Sequence, residues 1–293
     1  MIPDPIFYLL RRFTIPAYKI RGIGLGRVCE FIRRVSARLA PNYPLVIHDF
    51  YGNGKFFCDL KEHMSSQTFF RGLYCKDSIP IIKYILPYDG IVLDIGANQG
   101  EFTVASAIHA QQGTVIAVEP VDAIRRQLLA NIRLNELRNV RVVPYALGEH
   151  AGEIDLYNHV GNFTDGLLNT GLATFYSTKQ RDQLIGRVKV ASLDELWPTW
   201  NFDRLDLIKI DVEGAEWSVL RGAHGLLQRY RPKLIIEIGR LTCQAAGYEP
   251  EAFATWLVGQ HYQLFHLGDD GERIPLQPAI LQHFQNVLAV PVQ

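Results

Sequence analysis

The sequence predicts an α/β fold, a mostly parallel Rossmann-like sheet preceded by an N-terminal helical and hairpin extension. Three observations carry that expectation. Between residues 91 and 259 short apolar runs alternate with helical patterns, as in a parallel sheet covered on both faces. The first run, Val92-Leu93-Asp94-Ile95, leads into Gly96-Ala97-Asn98-Gln99-Gly100, a glycine-bearing turn ahead of a helix that starts near Glu101. The last two runs, Tyr262–His266 and Asn286–Val290, are separated by a mostly polar stretch, which predicts an antiparallel hairpin closing the sheet.

In chain order, residues 1–80 form the extension and 81–293 the main domain. Residues 27–39 place Val28, Phe31, Ile32, Val35 and Leu39 at helical spacing, with Arg27, Arg33, Arg34 and Arg38 mostly elsewhere on the surface. The expectation is a helix packed on the main domain with solvated arginines; the alternative is a basic amphipathic helix lying on an anionic membrane. Residues 45–60 read as a hairpin turning at Tyr51-Gly52-Asn53-Gly54. Ile79 to Leu86 reads as a helix stopped by Pro87, and Asp89-Gly90 turns into the first core strand. Strands are expected at 91–95, 114–119, 140–143, 205–210 and 233–238, and helices at 100–110, 122–136, 215–230 and 249–259. Segment 158–186 is rich in glycine and threonine and has no period. A stretch that long without secondary structure inside a compact domain is commonly functional or disordered.

Bulk properties exclude several classes. Of the 293 residues 48% are hydrophobic and 20% charged, ordinary for a globular core, and the formal net charge is zero, which argues against a nucleic-acid partner. Residues 1–40 nevertheless carry eight basic side chains against Asp4 and Glu30. Cys29, Cys58, Cys75 and Cys243 lack zinc-site or CxxC spacing and read as free thiols. Ile6-Phe7-Tyr8-Leu9-Leu10 is too short for a signal peptide and no run approaches the ~20 residues of a membrane span, so a cytoplasmic protein is expected.

The chemistry gathers at three strand ends. The spacing Gly96-x-x-x-Gly100 lacks the middle glycine of a dinucleotide loop, and Asn98 tolerates the left-handed backbone that the turn needs. Asp94 suits a cationic ligand tail and would repel a diphosphate, which favours S-adenosylmethionine over NAD. Glu119, about 20 residues on, is placed to accept ribose hydroxyls. Asp211, Glu213 and Glu216 crowd the end of the fourth strand, where open α/β sheets bind ligands. Asp211 and Glu213 suit a general base or a divalent cation, whereas Glu216 reads as an acid starting the next helix. Glu237 interrupts an apolar strand, where a carboxylate is costly unless it has a partner or a function. His224 is a lone helical histidine and reads as structural.

DIGANQG (94–100), the EP pair (119–120), PYALG (144–148), NTGLATF (169–175), VKVASLDEL (188–196), IKIDVEGAE (208–216), VLRGAHGLL (219–227) and PKLIIEI (232–238) occur in this order. Together they resemble the FkbM-type methyltransferases, a branch of the class I S-adenosylmethionine-dependent enzymes, over about residues 85–290. The resemblance implies a seven-stranded sheet with a C-terminal antiparallel hairpin, and O-methylation of a sugar, glycolipid, polysaccharide or secondary metabolite. By motif, Asp94, Gly96, Asn98 and Gly100 line the methionine end of the cofactor, Glu119 its ribose, and Ala146 its adenine. Asp211, Glu213 and Glu237 face the transferred methyl, with Asp211 preferred as base and Glu237 second. Asn169, Thr170 and Thr174 are the candidate acceptor-binding residues. Metal dependence stays open, as does peripheral membrane contact through the basic N-terminal region. An NAD(P)-binding oxidoreductase and a non-catalytic cofactor-binding relative are the competing readings.

Overall fold

Two units make up the chain, Met1–Cys75 and Lys76–Val160 with Leu172–Gln293. The computed structural model describes residues 3–20, 24–158, 174–176, 183–281 and 284–292. In the first unit, helices α1 (Asp4–Lys19) and α2 (Leu25–Leu39) precede a hairpin of β1 (Leu45–Phe50) and β2 (Gly54–Cys58) and a third helix, α3 (His63–Arg71). Phe7, Ile47, Phe50, Phe56, Phe69 and Phe70 are its buried core. The Glu62 carboxylate caps α3 by accepting the amides of Met64 and Ser65.

Helix α2 departs from the expected solvated arginines, because Arg33 is buried. Its buried side is Cys29, Arg33, Ser36 and Ala37, while Val28, Phe31 and Leu39 face outward. The reason is local. Glu30 gives Arg33 a counterion one turn away, at 2.6 Å, and Ser66 of α3 accepts from the same guanidinium at 3.2 Å. A paired arginine among small residues lets α2 approach its neighbours closely.

The second unit starts with α4 (Ile82–Ile85), shorter than the expected 79–86 helix. It continues through β3 (Ile91–Ile95), α5 (Glu101–His109), β4 (Thr114–Val118), α6 (Asp122–Leu134), β5 (Val140–Val143), β6 (Ala146–Leu147), β7 (Gly152–Asn158) and β8 (Gln183–Ala191). Then come α7 (Leu193–Leu196), β9 (Leu207–Ile210), α8 (Glu216–Arg221), α9 (His224–Tyr230), β10 (Lys233–Gly239), α10 (Arg240–Ala245), α11 (Pro250–Gly259), β11 (Tyr262–Leu267), β12 (Arg273–Pro275) and β13 (Phe284–Pro291). The main sheet runs β12-β11-β13-β10-β9-β3-β4-β5. Strands β10, β9, β3, β4 and β5 are parallel, and β13, β11 and β12 add antiparallel. The seven expected strands are present. The eighth, β12, is a three-residue exposed edge ending in Pro275, a length and residue that discourage further pairing.

Alternation along the parallel strands divides the sheet. Leu93, Ile95, Ile116, Val118, Ile208, Ile210, Leu234 and Ile236 enter one apolar core, to which Trp197, Leu226, Phe253 and Leu257 also belong. The other set, two residues apart, includes Asp94, Lys209 and Glu237, and this alternate register carries the chemistry.

Two further elements differ from expectation. Residues 183–186, expected within an aperiodic loop, belong to β8, which pairs antiparallel with β7 and parallel with β6 in a separate three-stranded sheet. The single helix expected at 215–230 is two helices. A Cβ on Gly222 would lie 2.0 Å from the Gly148 carbonyl oxygen, and the Gly222 carbonyl accepts from Ser192 and Asp194 instead of continuing a helix. Asp194 then caps α9 from outside, accepting the amides of Gly225 and Leu226 at 2.8 Å each. Among the described residues no helix is long and apolar enough to cross a membrane.

Candidate active site

Strand register builds the site. Ile95 of β3 is level with Val118 of β4 and Ile210 of β9, and Ile210 is level with Ile236 of β10. One residue further on, Glu119, Gly96, Asp211 and Glu237 form a row along the carboxyl edge of four adjacent strands. Ladder bonds extend into the row, with the Asp211 amide donating to Ile95 O at 3.0 Å and the Glu119 amide to Val143 O at 3.1 Å. Strands are about 4.8 Å apart, so Asp211 and Glu237 are neighbours and Gly96 leaves a side-chain-free gap beside Glu119. That gap is obligatory, since a Cβ on Gly96 would lie 1.9 Å from the Asp211 carbonyl oxygen.

The glycine turn satisfies its own amides. Gly96 and Ala97 donate to Val118 O, Asn98 to the Glu119 carboxylate, Gln99 to the Asn98 side chain, and Gly100 to Ala97 O. Asn98 holds φ 50° and Gly100 φ 94°, the left-handed geometry this closure needs. Asn131 of α6 fixes the turn from behind by donating to Gln99 O at 2.9 Å. A dinucleotide pyrophosphate requires several unsatisfied N–H groups in this place, and residues 96–100 leave none.

Both acids at this turn are buried. Glu119 accepts from the amides of Asn98 and Val121, yet burial pushes its carboxyl up to about 7. Asp94 accepts from the Thr103 hydroxyl through one oxygen, while its Oδ1 is buried without a hydrogen-bond partner. Burial raises its pKa, with the Lys209 cation opposing. A partnerless buried carboxylate oxygen fits a cationic or hydroxyl-bearing group, or a water, at this turn, and does not fit a phosphate.

Asp211, Glu213 and Glu237 come together, each with one carboxylate oxygen within 4.8 Å of the others. Three hard oxygen donors suit a divalent cation such as magnesium or calcium. Lys209, within β9 and 4% exposed, holds Asp211 through a 2.9 Å ion pair and stands level with Asp94. Glu237 is pushed well above the usual carboxylate range, first by burial and then by the charges of Asp211 and Glu213.

The loop bearing Glu213 is strained and clamped. Glu213 sits at φ 54°, and a Cβ on Gly214 would meet Thr242 O at 2.6 Å. The buried Glu216 carboxylate accepts the amides of Val212 and Gly214, and its other oxygen accepts from the Tyr248 hydroxyl at 3.1 Å. Glu216, expected only to open a helix, does so and also braces this loop. Thr174 is likewise a loop brace. It is buried, and its hydroxyl donates to Glu213 O at 2.8 Å, so it does not present a free hydroxyl to an acceptor. Asn169 and Thr170 lie outside the described residues. Ala146 is buried in β6 and paired with Val190. His224 is exposed at the start of α9 beside Gln228.

Sequence reasoning missed Lys209 and Tyr248. Lys209 was detectable, because a lysine between Ile208 and Ile210 shares the face of Asp211 two residues on. Tyr248 carries no local pattern.

Residues 94–266 match the family described as Methyltransferase FkbM domain. The chain is 28% identical over 205 residues to the AMB antimetabolite synthetase AmbE of Pseudomonas aeruginosa, covering 60% of this chain and 9% of that protein. It is 30% identical over 159 residues to the methyltransferase sdnD of Sordaria araneosa, covering 47% of this chain and 61% of that one. The chain thus spans less than two thirds of either relative. Among solved structures, that of methyltransferase FkbM from Methylobacillus flagellatus KT aligns with 91% of this chain and 59% of its own, at 15% identity and a TM-score of 0.40.

Proposed function

The chain belongs to the FkbM-domain methyltransferase family, and on that premise we propose that it transfers the methyl group of S-adenosylmethionine to a hydroxyl oxygen of a small-molecule or glycan acceptor. The observation that carries this reading is the row Glu119, Gly96, Asp211 and Glu237 at the carboxyl edge of the sheet. When bound, S-adenosylmethionine supplies a methyl group already activated by its sulfonium. Asp94, Gly96, Asn98 and Gly100 would take its amino-acid end and Glu119 its ribose hydroxyls.

The chain's own residues then have two tasks. They hold the acceptor oxygen in line, at roughly 3 Å from the carbon it attacks, and they receive its proton. Glu237 is the better base, in place of Asp211, which sequence alone favoured. The Lys209 ion pair already occupies one Asp211 oxygen, whereas burial and the charges of Asp211 and Glu213 raise the Glu237 carboxyl, which strengthens it as a proton acceptor. Asp211 positions the acceptor hydroxyl beside it. A divalent cation on Asp211, Glu213 and Glu237 is the competing use of the same oxygens, and a chelator separates the two, because a base needs no metal. The acceptor class proposed is a sugar, glycolipid, polysaccharide or secondary metabolite.

Calorimetric titration with S-adenosylmethionine, and with NAD for comparison, tests the cofactor. Micromolar binding of the first and none of the second is expected, since the turn has no free amide for a pyrophosphate. Binding of NAD alone overturns the proposal.

A further inference from the structure

The first unit presents a face that soluble helices normally bury. At about 100° per residue, Ile6, Leu9 and Phe13 fall on one arc of α1, and all three are exposed, Leu9 to 67%. Helix α2 repeats the layout with Val28, Phe31 and Leu39, Phe31 being 68% exposed. On the same flank of each arc stand cations, Arg12 and Lys19 on α1 and Arg27, Arg34 and Arg38 on α2. Every exposed charged residue of these two helices is basic. Asp4 and Glu30 are partly buried, and Glu30 is held by Arg33 and Arg34. The face is not a by-product of a crowded core, because α2 buries an arginine, a serine, a cysteine and an alanine in preference to its own phenylalanine.

We propose that the outward faces of α1 and α2 dock this protein on an anionic lipid surface. Apolar side chains bordered by arginine and lysine are what an interfacial helix inserts at the headgroup boundary, with the cations meeting lipid phosphates. Charge complementarity selects this occupant, since a wholly basic rim repels the identical rim of a second copy. The proposal does not rest on methyl transfer.

The test is co-sedimentation of the full chain with vesicles of phosphatidylcholine alone and of phosphatidylcholine containing phosphatidylglycerol. Binding to the anionic vesicles is expected, weakening as salt is raised. Leu9→Asn with Phe31→Asn should weaken binding on the order of tenfold or more through lost apolar insertion. Arg27→Gln with Arg38→Gln should lose the preference for anionic over neutral vesicles by a similar factor. All four positions are exposed, and an unchanged thermal melt confirms that each variant folds. Failure of the chain to sediment with anionic vesicles overturns the proposal, as does undiminished binding by the Leu9/Phe31 variant. A dimer in sedimentation velocity that Phe31→Asn dissociates, without vesicle binding, assigns the face to self-association and also overturns it.

Discussion

At the scale of single residues, the site turns on one buried cation. Lys209 stands level with Asp94 and holds Asp211, so three carboxylates that share a strand edge do not behave alike. Asp211 has a counterion, whereas burial and neighbouring charge raise Glu237. The roles therefore separate in kinetics. Glu237→Gln should lower kcat by about 10²- to 10⁴-fold, the usual contribution of a general base, with S-adenosylhomocysteine affinity within a few-fold of the parent. Asp211→Asn should fall mainly in kcat/KM, through acceptor positioning. Equal kcat losses in both variants, reversed by added magnesium, would instead mark the trio as a metal site.

At the scale of elements, the breaks matter as much as the strands. Helix α9 begins after the Gly222 turn and owes its start to Asp194, whose carboxylate accepts two of its first amides. Asp194→Ala should cost about 0.5–2 kcal/mol, read from urea denaturation. Four of the five parallel strands were legible in the sequence because each is a short apolar run closed by an acid or a glycine, and β5 because its valines run into Pro144. The Asn98 turn was legible because few other residues accept its backbone. The split at Gly222 was not, because it depends on a close approach to Gly148 from a distant part of the chain. The inverted α2 was not legible either. Periodicity finds an apolar arc but does not say which side a neighbour covers, and a Glu30–Arg33 pair can make the polar side the buried one. Strand β8 was hidden by its weak alternation and by Gly186.

At the scale of the whole molecule, buried acids tie stability to pH. Glu119, ordinarily near 4.5, is raised to about 7 in the fold. A raised carboxyl contributes stability fully below its unfolded pKa and loses it as pH rises through the folded one. Between pH 4.5 and 7 Glu119 alone should withdraw roughly 3 kcal/mol, with Asp94, Glu216 and Glu237 shifted in the same direction by burial. The Tm is expected to fall across that window, and Glu119→Gln should flatten the curve. An unchanged slope in the variant would remove Glu119 from the account. The row at the sheet edge has a further consequence for how this protein tolerates change. Its four members are placed by counting along strands, so aliphatic exchanges at Leu93, Ile95, Ile208 or Ile236 leave them where they are. Deleting one residue anywhere in Leu207–Ile210 would instead put Val212 where Asp211 stands and turn Asp211 to the opposite side. In evolutionary terms the site is guarded by frame more than by identity: point substitutions can drift around it, and insertions or deletions are confined to the connections.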